Sequence, residues 1–195
     1  MTSTPAVHAP ESPALQVDTQ KLGIWLLLGS EAVFFSSLIV TYIVFHGQTG
    51  EPPGHQLLDI PLTAVNTFVL ICSSMTMVTA LSAIQAGSVR ALRGWLLATA
   101  ALGLTFLSGQ AYEFTHLFHE GLSLSSNLFG ATFFTLTGFH GAHVAAGVTW
   151  IVFVLFKSRK GGLTQQRHDA VELVGLYWHF VDVVWILIFT IVYLI

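Results

Sequence analysis

The chain has 195 residues, 53% of them hydrophobic and 9% charged, with a formal net charge of −3 and a mean hydropathy of +0.72. That composition excludes an ordinary soluble domain, and with no basic run to track phosphates it excludes a nucleic-acid binder as well. Cys72 is the only cysteine, so an intrachain disulfide and an iron–sulfur cluster are excluded; a buried thiol acting as a small hydrophobe is expected.

Residues 1–20 carry Pro5, Pro10 and Pro13 among small and polar residues and read as a disordered tail. They have neither the basic n-region nor the apolar h-region of a secretory signal, so insertion is expected to be directed by the first span. Five apolar runs follow, at 22–45, 61–86, 94–112, 128–156 and 171–194. Each is long enough to cross a hydrocarbon core of about 30 Å as a helix, with tilt in the fourth. They are continuous and apolar all round, unlike the alternating segments of a barrel. The expected fold is therefore an all-α integral membrane bundle of five transmembrane helices.

All seven basic residues lie on one side of this arrangement: Lys21, Arg90, Arg93, Lys157, Arg159, Lys160 and Arg167. The connections 48–60 and 113–127 have none. By the positive-inside rule the N-terminus is expected in the cytoplasm and the C-terminus outside.

Span one holds Glu31 within Gly29-Ser30-Glu31. A carboxyl at that depth is expected to be protonated and hydrogen-bonded to neighbouring helices, or else to serve in a proton relay or at a lipid contact. His140 or His143 is its expected partner. Span two is rich in Ser, Thr and Asn, which hydrogen-bond between helices in lipid. Span three reads as hydrophobic filler that ends at the interface with Gln110, Tyr112 and Glu113. His116, His119 and Glu120 then form a His-rich loop.

Span four places Gly138, Ala142 and Ala146 at four-residue spacing, with Gly141 and Ala145 alongside, predicting one face for very close helix contact. His140 and His143 stand at i and i+3, a spacing compatible with a metal. No span contains the Glu-x-x-His pairs of di-iron bundles, and no paired histidines suit a haem, so helix bridging or pairing with Glu31 is the expectation. Span five contains Tyr177-Trp178-His179-Phe180-Val181-Asp182-Val183-Val184-Trp185. Asp182 lies near mid-bilayer, where a carboxylate costs on the order of 3 kcal/mol, so it is expected to face protein, be paired or carry a proton. His179 precedes it by one turn. Trp178, Asp182 and Trp185 form one stripe at i, i+4 and i+7, and Val181, Val184 and Ile188 form another.

This nonapeptide resembles the C-terminal signature of subunit III of haem-copper terminal oxidases, the cytochrome c oxidase subunit 3 family. The resemblance extends to His168 and Glu172, to Gly138-Phe139-His140-Gly141-Ala142-His143-Val144, and to Gly29 through Phe35. It also takes in Asn66-Thr67, Ser73-Ser74, and Gln110 with Tyr112-Glu113-Phe114. Many members have two further N-terminal helices; this chain looks like the five-helix bacterial form.

The resemblance implies a multi-pass subunit in the cell membrane of a bacterium, without a redox centre, cofactor or metal of its own. It would belong to an oxidase of cytochrome c or quinol that reduces oxygen to water and pumps protons in aerobic electron transport. Haems and copper would reside in subunit I, with subunit II and further small subunits as additional partners. The chain would stabilise subunit I, its proton uptake and bound phospholipid. Glu31 matches the buried acid on which carbodiimides act in this family. Glu31, His140, His143, His179 and Asp182 would be buried polar residues near the lipid-lined interface, and Tyr177, Trp178 and Trp185 mark the signature helix. Two other readings remain at this level: the related subunit of nitric oxide reductase systems, and an independent carrier or proton channel built on the buried acids and histidines.

Overall fold

A computed structural model describes residues 19–49, 57–164 and 166–195, which form five long helices. They are α1 (Thr19–Thr49), α2 (Ile60–Gln85), α3 (Val89–His119), α4 (Leu128–Arg159) and α5 (Asp169–Phe189), the last continuing as a π-helical segment, Thr190–Leu194. All five are long and apolar enough to cross a membrane. No strand occurs among the described residues, apart from an isolated bridge between Thr164 and Arg167.

Local chemistry sets the helix ends. Asp59, Ser88 and Asn127 cap α2, α3 and α4, each accepting a hydrogen bond from the third backbone N–H beyond it, as short polar side chains do at helix starts. At the other ends, Gly87, Gly121 and Gly161 take φ values of 81°, 83° and 75°. A residue with a Cβ would be strained there, and the same glycine stop closes three helices in succession.

The observed ends depart from the expected spans most at α3. Its C-terminus extends seven residues past Tyr112, so His116 and His119 occupy its last turn and not a loop. Glu113 was expected to end the helix, but its carboxyl is satisfied by side chains of other helices. Phe114 and Leu117 then continue the apolar face up to the cap at Gly121. At the front of the chain, Thr19 and Gln20 belong to α1 and not to a tail; residues 1–18 of the expected tail lie outside the described residues.

In the packing, α2 and α3 form the most extensive pair, α4 joins α3, and α5 rests on both α2 and α4. Helix α1 lies at the periphery, packing chiefly on α4 and α5. Half of the apolar window of α5 is buried, against 17% for α1, so the signature helix is the innermost and α1 the most open to lipid. At one end of the bundle Lys21 reaches Glu172 at 3.0 Å, tying the start of α1 to that of α5. There too Arg93 donates to the Ser158 hydroxyl (3.2 Å) and carbonyl (2.6 Å), tying α3 to α4.

The small-residue face of α4 departs from expectation. Ala142, Ala145 and Ala146 are exposed, and a Cβ on Gly138 would meet nothing within 4 Å. Close contact occurs on another face. A Cβ on Gly147 would fall 2.9 Å from Trp178, and one on Gly141 2.6 Å from Gln110 Oε1. Gly103 on α3 closes the same slot, its added Cβ 2.7 Å from Trp178. Bulk on α5 is what requires Gly103 and Gly147, while the Gln110 side chain of α3 requires Gly141. Cys72, expected to be buried, is only half-buried on α2.

Candidate functional site

Among the described residues three polar groups that join helices stand out, the first half-buried and the other two buried. The first joins α1 to α4. Glu31 and His143 lie about 18 Å and 24 Å from the ends of their helices at the basic side, both deep in the membrane. His143 Nδ1 donates to the Phe139 carbonyl at 2.7 Å, and Nε2 lies 3.1 Å from Glu31 Oε2. With Nδ1 carrying its hydrogen, the ring is oriented so that Nε2 and the carboxyl share a proton between them. Phe34 and Phe35 flank the ring at 6.4 and 5.0 Å. Tyr177 donates from α5 to the His143 carbonyl at 3.1 Å, so the signature helix supports the pair from below.

His140, one turn earlier, does not reach Glu31. It is fully buried, and neither ring nitrogen has a hydrogen-bond partner among the described residues. It stacks on Trp185 with centroids 4.7 Å apart and takes the edges of Phe106 and Phe35. Among the described residues it serves as an aromatic of the core.

The second group lies between α2 and α5. Trp178 donates to the Ser73 hydroxyl and Trp185 to the Thr67 hydroxyl, each at 2.9 Å, and His179 Nδ1 pairs with the Ser74 hydroxyl. The serines and threonines of α2 thus take up the polar ends of the α5 aromatics, the form of interhelical bonding open to helices in lipid. Asp182 is on the same side, 5% exposed. Neither of its carboxyl oxygens makes a hydrogen bond of good geometry; Ser74 is beside it with its hydroxyl engaged by His179.

The third group was not anticipated as a site. Glu113 is 6% exposed; it accepts from Thr63 of α2 at 3.1 Å and from Tyr193 of the π segment at 3.0 Å. A sequence signal for it existed: Leu96, Gly103, Phe106, Gln110, Glu113 and Leu117 continue one buried stripe along α3, which places Glu113 inward. Gln110 on that stripe donates to the Thr137 carbonyl at 2.7 Å, and Asn66 donates to the Phe106 carbonyl at 3.0 Å.

Beside the first two groups an open groove of about 430 Å³ runs between α1 and α5. Leu28, Gly29 and Ala32 form one wall, and Leu176, His179 and Phe180 the other. The groove is apolar except for His179, and Gly29 and Ala32 leave it open where larger residues would close it. Glu31 is not on its wall, because it turns to α4. Among the described residues no three His, Cys, Asp or Glu side chains converge as a metal site.

Residues 8–195 match the protein family described as cytochrome c oxidase subunit III. The cytochrome c oxidase subunit 3 of Bacillus subtilis (strain 168) is 40% identical over 188 residues, covering 95% of this chain and 91% of that protein. The quinol oxidase subunit 3 of Bacillus spizizenii is 41% identical over 174 residues, 89% of this chain and 85% of its own. The cytochrome bo(3) ubiquinol oxidase subunit 3 of Pseudomonas putida is 38% identical, over 89% and 84%. Relatives from oxidases of either donor match about equally well. With its five membrane-spanning helices, a multi-pass bacterial membrane protein, the chain belongs to the cytochrome c oxidase subunit III family, the third subunit of haem-copper terminal oxidases.

Proposed function

We propose that this chain is a supporting subunit that packs beside the catalytic subunit I, in a complex that also contains subunit II, and that it sustains proton uptake there. Haems and copper belong to subunit I. Phospholipid fills the groove between α1 and α5, and the Glu31–His143 pair, with Asp182 and His179, shapes the electrostatics of that face. The observation that carries this reading is the half-buried pair joining α1 to α4 beside an apolar groove. An acid and a histidine hold the most loosely packed helix in place where lipid must sit. In this reading the N-terminus is cytoplasmic, in keeping with the basic residues gathered at one end. The exposed small face of α4, with Ala142 and Ala146, suits close approach by a helix of another subunit.

An independent carrier is disfavoured by family membership. A tag on this chain tests the proposal: haem-bearing subunits should co-purify, and oxidase stripped of the chain should lose activity within fewer turnovers than the intact complex. Ala142→Leu should lower the yield of co-purified subunit I while the chain itself still inserts. A stripped enzyme with undiminished turnover life would sink the supporting role.

A further inference from the structure

At the end of the bundle remote from the basic residues, a second cavity of about 60 Å³ opens beside Glu113. Asp59, Tyr112 and His116 stand on its wall with Glu113, and Leu62 and Leu117 supply apolar surface. Asp59, Tyr112 and His116 are exposed while Glu113 is buried, so the cavity runs inward from the helix ends to the carboxyl. Glu113 lies six residues, about 9 Å, before the end of α3. An ordered water needs roughly 10–15 Å³ and at least two polar partners; the cavity has room for several waters and polar groups to hold them. No residue on its wall also lines the groove between α1 and α5.

Behind the cavity the carboxyl meets two hydroxyls. Tyr193 donates to Oε2 at 3.0 Å, and the Thr63 oxygen lies 3.1 Å from Oε1. Thr63 has a single hydroxyl hydrogen and two acceptors within reach, Oε1 and, at 3.0 Å, the Asp59 carbonyl. That carbonyl also accepts from the Thr63 N–H at 3.0 Å, so it tolerates either orientation of the hydroxyl. With Glu113 charged, Thr63 and Tyr193 each give it a hydrogen. With Glu113 protonated at Oε1, the carboxyl donates to Thr63, which turns its own hydrogen to the Asp59 carbonyl. Both forms are hydrogen-bonded throughout, with the heavy atoms in the same places. A clamp alone needs only one of them.

We infer that Glu113 is a proton-binding site that exchanges its proton with water through this cavity, at the bundle end opposite the basic residues. On release the hydrogen on Oε1 passes to a cavity water as hydronium, the carboxylate keeps the bonding pair, and the Thr63 hydrogen swings from the Asp59 carbonyl to Oε1. Uptake reverses each step. Asp59 is pinned at the mouth through Oδ1, which accepts from the Leu62 N–H at 3.0 Å, and its charge there concentrates protons. His116 adds a group that takes up and gives up a proton. The other titratable groups that face the carboxyl are Tyr112 on its own helix and Tyr193, beside which α1 places Tyr42. Helix α4 meets Tyr193 with the uncharged ring of Phe133. Among the described residues no Lys or Arg lines the cavity, so nothing there locks the carboxyl in its charged form. The inference rests on the membrane placement of the chain and not on its role in the oxidase.

The test is infrared spectroscopy of the detergent-purified oxidase complex, with the Glu113 carboxyl band identified as the one that vanishes in Glu113→Gln. That band should shift on transfer to heavy water as fast as the buffer is exchanged. Leu62→Trp, which fills the cavity and leaves every hydrogen-bonding group in place, should slow the shift roughly tenfold, since exchange then waits on local opening of the helix ends. Exchange at the Glu31 band should be the same in Leu62→Trp as in the wild type. Thr63→Val, which removes the acceptor, should move the Glu113 band, and Thr63→Ser should keep it in place.

If Glu113→Gln loses no protonated-carboxyl band at any pH at which the complex is stable, the site is refuted. The same holds for a Glu113 band that never exchanges, or that exchanges at the wild-type rate in Leu62→Trp. A band displaced by calcium ions at constant pH would make the two acids a cation site and overturn the proposal. If Glu113→Gln does not assemble, the band that moves in Thr63→Val but not in Thr63→Ser identifies the group, and the lack of any such band decides against it.

Discussion

His143 Nε2 lies 3.1 Å from Glu31 Oε2, and this contact is the polar link that fastens α1 to α4. Each side chain is roughly one-fifth exposed, at 19% and 23%, so the pair borders the lipid face instead of lying in the core. Its partner ring is already committed through Nδ1 to Phe139. The infrared band of the Glu31 carboxyl, identified as the one that vanishes in Glu31→Gln, should therefore shift in His143→Ala and stay in place in His140→Ala. A band indifferent to His143, or moved by His140, would contradict the pairing.

The slot around Trp178 gives a second prediction. The indole is fully buried between Gly103 and Gly147, whose added Cβ atoms would sit 2.7 and 2.9 Å from its ring carbons. The ring is also bonded to Ser73 and has little room to retreat. Overpacking of this kind costs about 1–3 kcal/mol. Gly103→Ala and Gly147→Ala should each lower the thermal midpoint of the purified complex, whereas Gly138→Ala, which meets nothing, should leave it unchanged. Equal midpoints for all three would show that the ring shifts freely.

Much of this was readable from the residues. Apolar run length yields the five helices, while short polar caps and glycines mark ends that run length alone misplaces. The stripe Trp178, Asp182, Trp185 faces α2 because its polar groups match the hydroxyls there. What could not be read was direction. Helix α4 is apolar all round, so no hydropathy contrast orients it, and the alanine face that suggested close packing is exposed while Gly147 and Gly141 carry the contacts. His140 and His143 look alike in sequence; their three-residue separation falls about 60° short of a full turn, which places the first against Trp185 and the second against Glu31. Glu113 was mistaken for a helix end because a lone acid after an apolar run signals an interface, and its partners, Thr63 and Tyr193, lie 50 and 80 residues away.

Asp182 is buried at 5% exposure in the α2–α5 contact. Replacement by Leu removes a polar group whose oxygens make no well-formed bond, whereas Lys places an ammonium at mid-bilayer for on the order of 3 kcal/mol. Asp182→Leu should therefore yield more co-purified complex than Asp182→Lys. His179→Ala should weaken the same contact by removing the Ser74 bond, at about 1 kcal/mol. Equal yields from the two Asp182 variants would place that side chain facing lipid or solvent.

The Glu113 carboxyl holds three elements at the end of the bundle remote from the basic residues. Thr63 brings α2 and Tyr193 brings the π segment that closes α5, both to the same side chain of α3. Tyr193 is 1% exposed, so a hydroxyl left without its acceptor has no water to turn to, and an orphaned buried donor costs about 1–3 kcal/mol. Glu113→Leu should lower the midpoint of unfolding more than Tyr193→Phe does, since it orphans a hydroxyl that Tyr193→Phe deletes together with its need. In the double variant, adding Tyr193→Phe to Glu113→Leu should cost little and can recover stability, the signature of two groups that satisfy each other. The Thr63 hydroxyl still has the Asp59 carbonyl at 3.0 Å, so Thr63→Val should be the mildest of the three. Strictly additive losses in the Glu113–Tyr193 cycle, measured by thermal or detergent unfolding of the complex, would remove the clamp and leave Glu113 a solitary buried acid.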